Sequence, residues 1–158
     1  MTTLARANAV ALAVPALLMA GALGSQYLPV FFGGVGLYPC EMCHWQRWPH
    51  YAAIALALLA FVVKPPARNV MIALAALAIL TSGAIGVFHA GVEYHWWEGI
   101  TTCSSTAAGS SLEDLMRAPL IRCDTAQWTL WGISLAGFNA LFSIAGGITI
   151  LALVRKAR

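Results

Sequence analysis

The sequence predicts an all-α integral membrane protein, a bundle of four transmembrane helices with a short interfacial helix in its second external loop. Composition is the first reason. Of the 158 residues, 60% are hydrophobic and 9% are charged, whereas roughly 25% are charged in soluble domains. The second reason is length, because about 20 apolar residues span a bilayer. Such runs occupy residues 9–30, 44–63, 70–90 and 130–154.

These four segments leave little sequence for a second domain, so we expect one membrane domain over residues 1–158, with external loops at about 31–43 and 91–129. The first segment also resembles a secretory signal peptide, because Arg6 precedes it and the small residues Ala22 and Gly24 lie near its end. Its apolar sequence continues to Phe32, however, beyond the about 7–15 residues of a signal-peptide core. We therefore expect a spanning helix.

Charge predicts the orientation of the helices. Six basic residues lie on one predicted side: Arg6, Lys64, Arg68, Arg155, Lys156 and Arg158. The positive-inside rule makes that side cytoplasmic. All six acidic residues lie on the other: Glu41, Glu93, Glu98, Glu113, Asp114 and Asp124. Both termini are therefore expected inside. The net charge of +3 comes from the cytoplasmic ends and gives no argument for nucleic acid binding.

All four cysteines, Cys40, Cys43, Cys103 and Cys123, then lie on the outer side. Disulfides form and persist there, which in a bacterial inner membrane means the periplasm. Cysteine pairs outside the hydrocarbon suggest redox chemistry or a bound metal rather than simple packing. The side of the membrane thus decides which chemistry is open to them.

The first pair is expected at the start of the second helix. Pro39 precedes Cys40, and Cys40, Cys43, Arg47 and His50 are three, four and three residues apart, a spacing that places them on one helical face. The helix dipole and the Arg47 guanidinium both favour a thiolate there. A charge at this depth is costly unless it snorkels or finds a partner, so Arg47 either snorkels or holds an anion or carbonyl oxygen beside Cys43.

The same residues admit two inorganic interpretations. Cys40, Cys43 and His44 spell C-x-x-C-H, the attachment pattern of c-type haem. The motif runs straight into an apolar helix, however, and haem would leave Cys103 and Cys123 without a role. Zinc could take four thiolates, but structural zinc usually has two close pairs, and here the second pair is 20 residues apart.

The second external loop contains features of a surface helix. Ser110 and Glu113 form a capping box, Leu112 begins a short apolar stripe, and Pro119 ends it. The pattern predicts a helix lying on the membrane, or equally a solvated loop helix.

Cys103 and Cys123 flank this segment, and in an oxidising compartment they can pair. A purely structural bond would stabilise the loop by about 3 kcal/mol. It would leave the first pair unexplained. A second exposed disulfide next to a reactive pair instead suggests a relay of thiol–disulfide exchange.

Motifs along most of the chain resemble the DsbB family of disulfide bond formation proteins. They are Pro39-Cys40-x-x-Cys43, Gln46-Arg47-Trp48-Pro49, His89, Cys123-Asp124 and Trp128-x-Leu130-x-Gly132-x-Ser134-Leu135-Ala136. The resemblance implies an inner-membrane enzyme that reoxidises a DsbA-like periplasmic dithiol protein and passes the electrons to membrane quinone, either ubiquinone or menaquinone.

The resemblance also assigns roles and pairings. It implies disulfides Cys40–Cys43 and Cys103–Cys123, with Cys43 as the thiolate beside the quinone. Cys103 would join the partner in a mixed disulfide, while Cys123 would exchange with Cys40. Arg47 and His89 would line the quinone site, although His95 is a second candidate for the histidine.

Two alternatives of other kinds remain. A structural membrane scaffold with stable disulfides would resist mild reduction, whereas relay disulfides would open readily. A vitamin-K-epoxide-reductase-like enzyme has similar chemistry, but its C-x-x-C usually comes late in the chain.

Overall fold

The computed structural model describes residues 2–31, 36–101, 104–105 and 120–157. Its described residues form an all-helical architecture of four long helices: α1 (Thr3–Phe31), α2 (Glu41–Val62), α3 (Ala67–Glu93) and α4 (Leu135–Lys156). By length and apolar composition, α1, α3 and α4 fit membrane spans. The predicted all-α membrane class is thus confirmed.

The helix α2 differs from these three because its first half is polar. It is 22 residues long and begins EMCHWQRWPHY, which lowers its hydropathy although its second half is apolar. The span predicted for 44–63, and with it the count of four transmembrane helices, stays a prediction.

Small residues let the helices pack closely. The most extensive contacts join α3 to α4 and α3 to α2, while α1 packs on α4 and α2. At the α3–α4 contact a Cβ on Gly86 would lie 3.0 Å from both the Ala136 carbonyl oxygen and the Ala140 nitrogen. Such close approach is typical of small-residue interfaces between membrane helices.

The fourth helix begins at Leu135 rather than near residue 130 as predicted. A two-stranded hairpin precedes it, in which β3 (Thr129–Leu130) pairs antiparallel with β4 (Ile133–Ser134). Its turn has positive φ at Trp131 and Gly132, 51° and 78°. Ser134 then caps the helix through its hydroxyl, which accepts from the Gly137 N–H at 3.1 Å. Hydropathy does not distinguish this hairpin from a helix, because Leu130, Trp131 and Ile133 are as apolar as the residues of a membrane helix.

A second small sheet lies in the long loop, where β1 (Ser104–Ser105) pairs antiparallel with β2 (Leu120–Ile121). The predicted interfacial helix, with its cap at Ser110, lies outside the described residues, as does Cys103. The sheet brings together the two segments of chain that adjoin the second cysteine pair.

Candidate thiol site at the end of the bundle

The first turn of α2 positions the C-x-x-C pair. Cys40 is the N-cap residue of α2, and its sulfur accepts a hydrogen bond from the Cys43 backbone N–H at 3.3 Å. The two Sγ atoms are 3.0 Å apart, with Cys40 as donor. Cys40 is 1% exposed, whereas Cys43 is partly exposed. Of this pair, Cys43 is therefore the sulfur that an incoming group reaches.

The two thiols differ in acidity because the Cys40 thiol donates a hydrogen bond that stabilises a thiolate on Cys43. The hydrogen bond from Cys40 lowers the pKa of Cys43, and Arg47 lowers it further, against the effect of burial. The same hydrogen bond, together with burial, raises the pKa of Cys40. Both sulfurs precede residue 44, where the predicted span begins. In the reduced pair the thiolate therefore resides on Cys43.

A cavity of about 210 Å³ opens beside this pair. Its walls are apolar residues of α1 and α4, including Leu17, Ala22 and Phe138, with a polar floor from α2 and α3. Cys40, Cys43, Arg47 and His50, which the spacing predicts on one helical face, all line it. Ligand pockets are commonly built this way, with apolar walls and a few convergent polar groups.

Arg47 lies in this cavity, and no carboxylate of the described residues forms an ion pair with it. Its Nη1 donates to the Gln26 side-chain oxygen of α1 at 2.9 Å. This neutral partner holds the guanidinium in place but does not neutralise it. Its positive charge remains available to an electronegative atom in the cavity.

The two histidines considered above lie in different places. His89 is 2% exposed, and its Nε2 is 3.5 Å from the Cys40 sulfur. His95 is exposed in the turn after α3, with φ of 58°, and is not among the residues lining the cavity. Of the two, His89 is the one in the thiol site.

Cys123 comes from the long loop and lies over the first pair. It is buried, at 7% exposure, and its sulfur, the Cys40 sulfur and a His89 ring nitrogen all lie within 4.8 Å of one another. Cys40, Cys43 and Cys123 are free thiols. The fold thus brings together cysteines from two separate loops.

These ligand atoms are also of the kind that zinc prefers. A structural zinc site takes four ligands, and among the described residues this group has three members and does not include Cys43. Haem has a further difficulty, because His44 is exposed and does not line the cavity with the two thiols.

A polar network under the thiols was not predicted from the sequence as part of the site. Gln46 contacts His89, Asn139 contacts Gln46, and both His50 and Ser82 contact Asn139. The signal that could have found it is the presence of uncharged polar residues inside otherwise apolar helices, which need partners in a bilayer.

Charged groups also border the site. A carboxylate oxygen of Glu93 lies 3.7 Å from the His89 Nε2. Next to Cys123, Arg122 forms two hydrogen bonds with Asp124, at 2.8 and 2.5 Å. This pairing lowers the pKa of Asp124 to about 2. The pair is solvent-exposed, so it contributes little to stability.

The fold and site together define a class: an all-helical membrane protein with a buried cluster of cysteines at one end of its bundle. The family model for the disulfide bond formation protein DsbB matches residues 5–153. The chain therefore belongs to the DsbB family, and the resemblance noted in its motifs is confirmed.

Two curated relatives illustrate the match. A disulfide bond formation protein B of Verminephrobacter eiseniae is 31% identical over 135 residues, covering 77% of this chain and 73% of the relative. The uncharacterized protein RP370 of Rickettsia prowazekii is 26% identical over 113 residues. That match covers 67% of this chain and 65% of the relative, less than two thirds of its length. No solved structure matches the chain.

Proposed function

We propose that this protein is a quinone-dependent thiol oxidase of the bacterial inner membrane, which reoxidises a DsbA-like periplasmic dithiol protein. One observation carries the proposal: Cys40 lies close to both of the other described cysteines. Its sulfur is 3.0 Å from that of Cys43 and within 4.8 Å of that of Cys123. Cys40 can therefore exchange with either sulfur after a shift of a few ångströms.

The relay begins from two disulfides, Cys40–Cys43 and Cys103–Cys123. A partner thiolate attacks Cys103, a new intermolecular disulfide forms, and Cys123 leaves as a thiolate. Cys123 then attacks Cys40, and the electron pair of the broken bond goes to Cys43. The pKa of Cys43 is lowered by its hydrogen bond and by Arg47, which makes it the better leaving group of its pair.

The intermolecular disulfide is resolved within the partner. The partner's second thiolate attacks its own bridged sulfur, so that the partner leaves oxidised and Cys103 becomes a thiolate. Cys103 next attacks Cys123, the Cys103–Cys123 bond re-forms, and Cys40 leaves as a thiolate. Cys40 and Cys43 are then reduced together, and the net result is the transfer of two electrons from the partner to this pair.

The cavity beside Cys43 fits a quinone head group. Apolar walls suit a lipid-soluble ring, and Arg47 offers a cation to a ring oxygen next to the thiolate. A bound quinone would supply an acceptor for two electrons and two protons. The Cys40 and Cys43 sulfurs give up those electrons as their bond re-forms. An acceptor of this kind is required because a DsbA-like partner, at about −120 mV, is already strongly oxidising.

The orientation of the protein follows from charge. Arg155 and Lys156 lie in the last turn of α4, whereas Glu93 ends α3 beside the thiols. The positive-inside rule then places both termini in the cytoplasm and the cysteines in the periplasm, with α2 as a fourth span. This is the compartment in which a protein dithiol needs oxidation.

The experiment mixes purified protein, a reduced thioredoxin-like partner and excess quinone, and follows quinone absorbance. The wild-type protein should reduce quinone and oxidise the partner in equal amounts. Each single cysteine-to-serine variant should lose turnover. A Cys43→Ser protein that reduces quinone at the wild-type rate would refute the proposal. A thiol–maleimide count before and after turnover separates electron transfer from mere binding.

A further inference from the structure

We propose that Gln46 and Asn139 are positioning residues that hold the His89 ring as a neutral tautomer whose Nε2–H faces the Cys40 sulfur. The role of this N–H in exchange rests on the proposed function, but the orientation of the ring does not. Backbone carbonyls can only accept hydrogen bonds, and the carbonyls of Ser82 and Met42 therefore fix the orientation of the two amides.

Asn139 is the first fixed group. Its side-chain nitrogen lies 3.2 Å from the Ser82 carbonyl oxygen and 3.1 Å from the Ser82 hydroxyl oxygen. That hydroxyl uses its own hydrogen on the Gln46 carbonyl at 2.8 Å, so it too accepts. A reversed amide would place its oxygen against two acceptors. The NH2 group of Asn139 therefore points toward Ser82 and Gln46.

Gln46 is fixed at both ends. Its side-chain oxygen accepts from the Asn139 nitrogen at 2.8 Å, and its side-chain nitrogen donates to the Met42 carbonyl at 3.1 Å. If the Gln46 amide were reversed, its nitrogen would face the Asn139 NH2 group and its oxygen would face the Met42 carbonyl. Asn139 and Met42 thus impose the same orientation on Gln46, and buried polar groups rarely forgo such partners.

The second hydrogen of the Gln46 NH2 group decides the tautomer of His89. The Gln46 nitrogen is 2.8 Å from His89 Nδ1, so Nδ1 must present its lone pair. In a neutral imidazole the proton is then on Nε2. A doubly protonated ring is disfavoured, because its Nδ1–H would oppose the NH2 of Gln46.

The surroundings of Nε2 agree with this assignment. The Cys40 sulfur lies at 3.5 Å, and a Glu93 carboxylate oxygen lies at 3.7 Å. Sulfur and oxygen atoms of these kinds accept hydrogen bonds. The same tautomer leaves Nε2 without the lone pair that a metal ion would need, which argues against zinc at Cys40, His89 and Cys123.

The His89 Nε2–H acts at one step of the proposed disulfide exchange. When Cys103 attacks Cys123, the bond between Cys123 and Cys40 breaks and its electron pair goes to the Cys40 sulfur. The His89 N–H then donates to the new thiolate, and hydrogen bonds to charged groups are roughly twice as strong as neutral ones. His89 thereby contacts the reacting sulfur, while Gln46 and Asn139 act through His89.

Nitrogen-15 NMR of histidine-labelled protein in detergent tests the tautomer directly. The His89 signals are identified by their loss in His89→Asn. We expect an unprotonated Nδ1 and a protonated Nε2 in the wild type. Asn139→Asp removes the NH2 group, so Gln46 must turn and the His89 tautomer should invert. A protonated Nδ1 in the wild type would overturn the proposal.

Titration of the Cys40 thiol tests the consequence. In a Cys43→Ser, Cys103→Ser, Cys123→Ser background only Cys40 is alkylated, and its rate is followed against pH. The other charged or titratable side chains lining the cavity stay unchanged: Tyr38, Arg47, His50, His89, Glu93 and Arg122. Gln46→Leu and Asn139→Asp should each raise the midpoint by about one pH unit, the equivalent of one hydrogen bond to a charged group.

Ser143→Ala is the matched control. Ser143 donates to the Asn139 side-chain oxygen at 3.0 Å but does not set the direction of either amide. It should leave the tautomer and the midpoint unchanged. Circular dichroism verifies that each variant is folded. The NMR measurement of the tautomer is made on the wild type, and it uses a variant, His89→Asn, only to assign the signals. Equal midpoints in wild type, Gln46→Leu and Asn139→Asp would contradict the proposal.

Neither measurement uses partner or quinone. If the tautomer and the midpoints behave as expected but the wild type fails to reduce quinone, the proposed function is wrong and the positioning of His89 stands. If quinone is reduced while His89 carries its proton on Nδ1, the reverse holds.

Discussion

The two ends of the helix bundle are packed by different chemistry. At the end nearest the chain termini the buried core is small and aliphatic, and we call it the apolar end: Ala7, Ala11, Ala53, Ala57, Ala60, Ile72, Ala75, Ala76, Ile79, Ile150 and Val154. At the other, the cysteine end, thiols and polar side chains are buried: Cys40, Gln46, His50, Ser82, His89, Cys123 and Ser143, with Asn139 partly buried beside them.

The apolar end stabilises the helix bundle, whereas the cysteine end contains the candidate site. Close packing of small residues is sufficient for helix association in lipid, as the apolar end illustrates. Buried polar groups add little to that association unless each is partnered. At the cysteine end Gln46 and Asn139 are fully engaged. Among the described residues, buried side-chain atoms without a hydrogen-bond partner occur at both ends, the His50 Nδ1 and one Glu93 oxygen at the cysteine end and the Asn8 and Asn69 oxygens at the other. The ends therefore differ in the size of their polar network, not in how completely it is paired.

The largest expected effect comes from comparing a serine introduced at the cysteine end with a serine introduced at the apolar end. Cys40→Ser should abolish quinone-dependent oxidation of a reduced partner, because a hydroxyl cannot form or exchange a disulfide. Ala57→Ser, a matched gain of a hydroxyl in the apolar end, should retain activity since serine can hydrogen-bond to its own helix. Quinone absorbance measures both. Wild-type turnover by Cys40→Ser would remove the central sulfur from the relay.

A charge deletion at each end gives the next effect. Arg47→Ala should raise the KM for quinone by roughly 10–100-fold, the value of a lost hydrogen bond from a charged group. Arg68→Ala is the control, because Arg68 lies in the first turn of α3, at the apolar end, and donates to the Val63 carbonyl at 3.2 Å. Steady-state kinetics at saturating partner separates KM from kcat. Equal KM values in both variants would argue that Arg47 only snorkels.

A methyl group added to glycine tests the packing that supports the site. Gly86→Ala forces its Cβ to within 3.0 Å of the α4 backbone, and we expect a loss of about 1–3 kcal/mol. Gly21→Ala meets nothing within 4 Å and should stabilise α1 by up to about 1 kcal/mol. Unfolding in mixed detergent measures both. Equal stabilities would show that α3 and α4 can separate at no cost.

The smallest expected effect is a difference within one pair of residues. In fully reduced protein Cys43 should be alkylated at lower pH than Cys40, because its pKa is lowered while that of Cys40 is raised. The cysteine with the lower pKa is alkylated at lower pH because the thiolate is the reactive form. Mass spectrometry of peptides after brief iodoacetamide treatment at several pH values measures it. Preferential labelling of Cys40 at neutral pH would reverse the assignment.

Much of this architecture could be predicted from the chain alone. Long apolar runs need internally bonded helices in lipid, and three of the four predicted spans have helices of membrane length and composition. The spacing of Cys40, Cys43 and Arg47 similarly places them along one side of α2, where all three line the cavity. Such local features follow from helical geometry.

The start of α4 and the polar network could not be predicted in the same way. A hairpin at Thr129–Ser134 and a helix have equally apolar side chains, so hydropathy cannot separate them. The partners of Gln46 lie 43 and 93 residues away along the chain. No periodicity links positions on three different helices.

The sequence by itself determined the family, the helical membrane architecture and the identity of the cysteines, because composition and local spacing carry that information. Only the tertiary structure decided that Cys40 lies close to both Cys43 and Cys123, that His89 rather than His95 faces the thiols, and that two amides orient its ring. Distances between side chains of separate segments depend on how the helices pack, and packing is a property of the whole bundle.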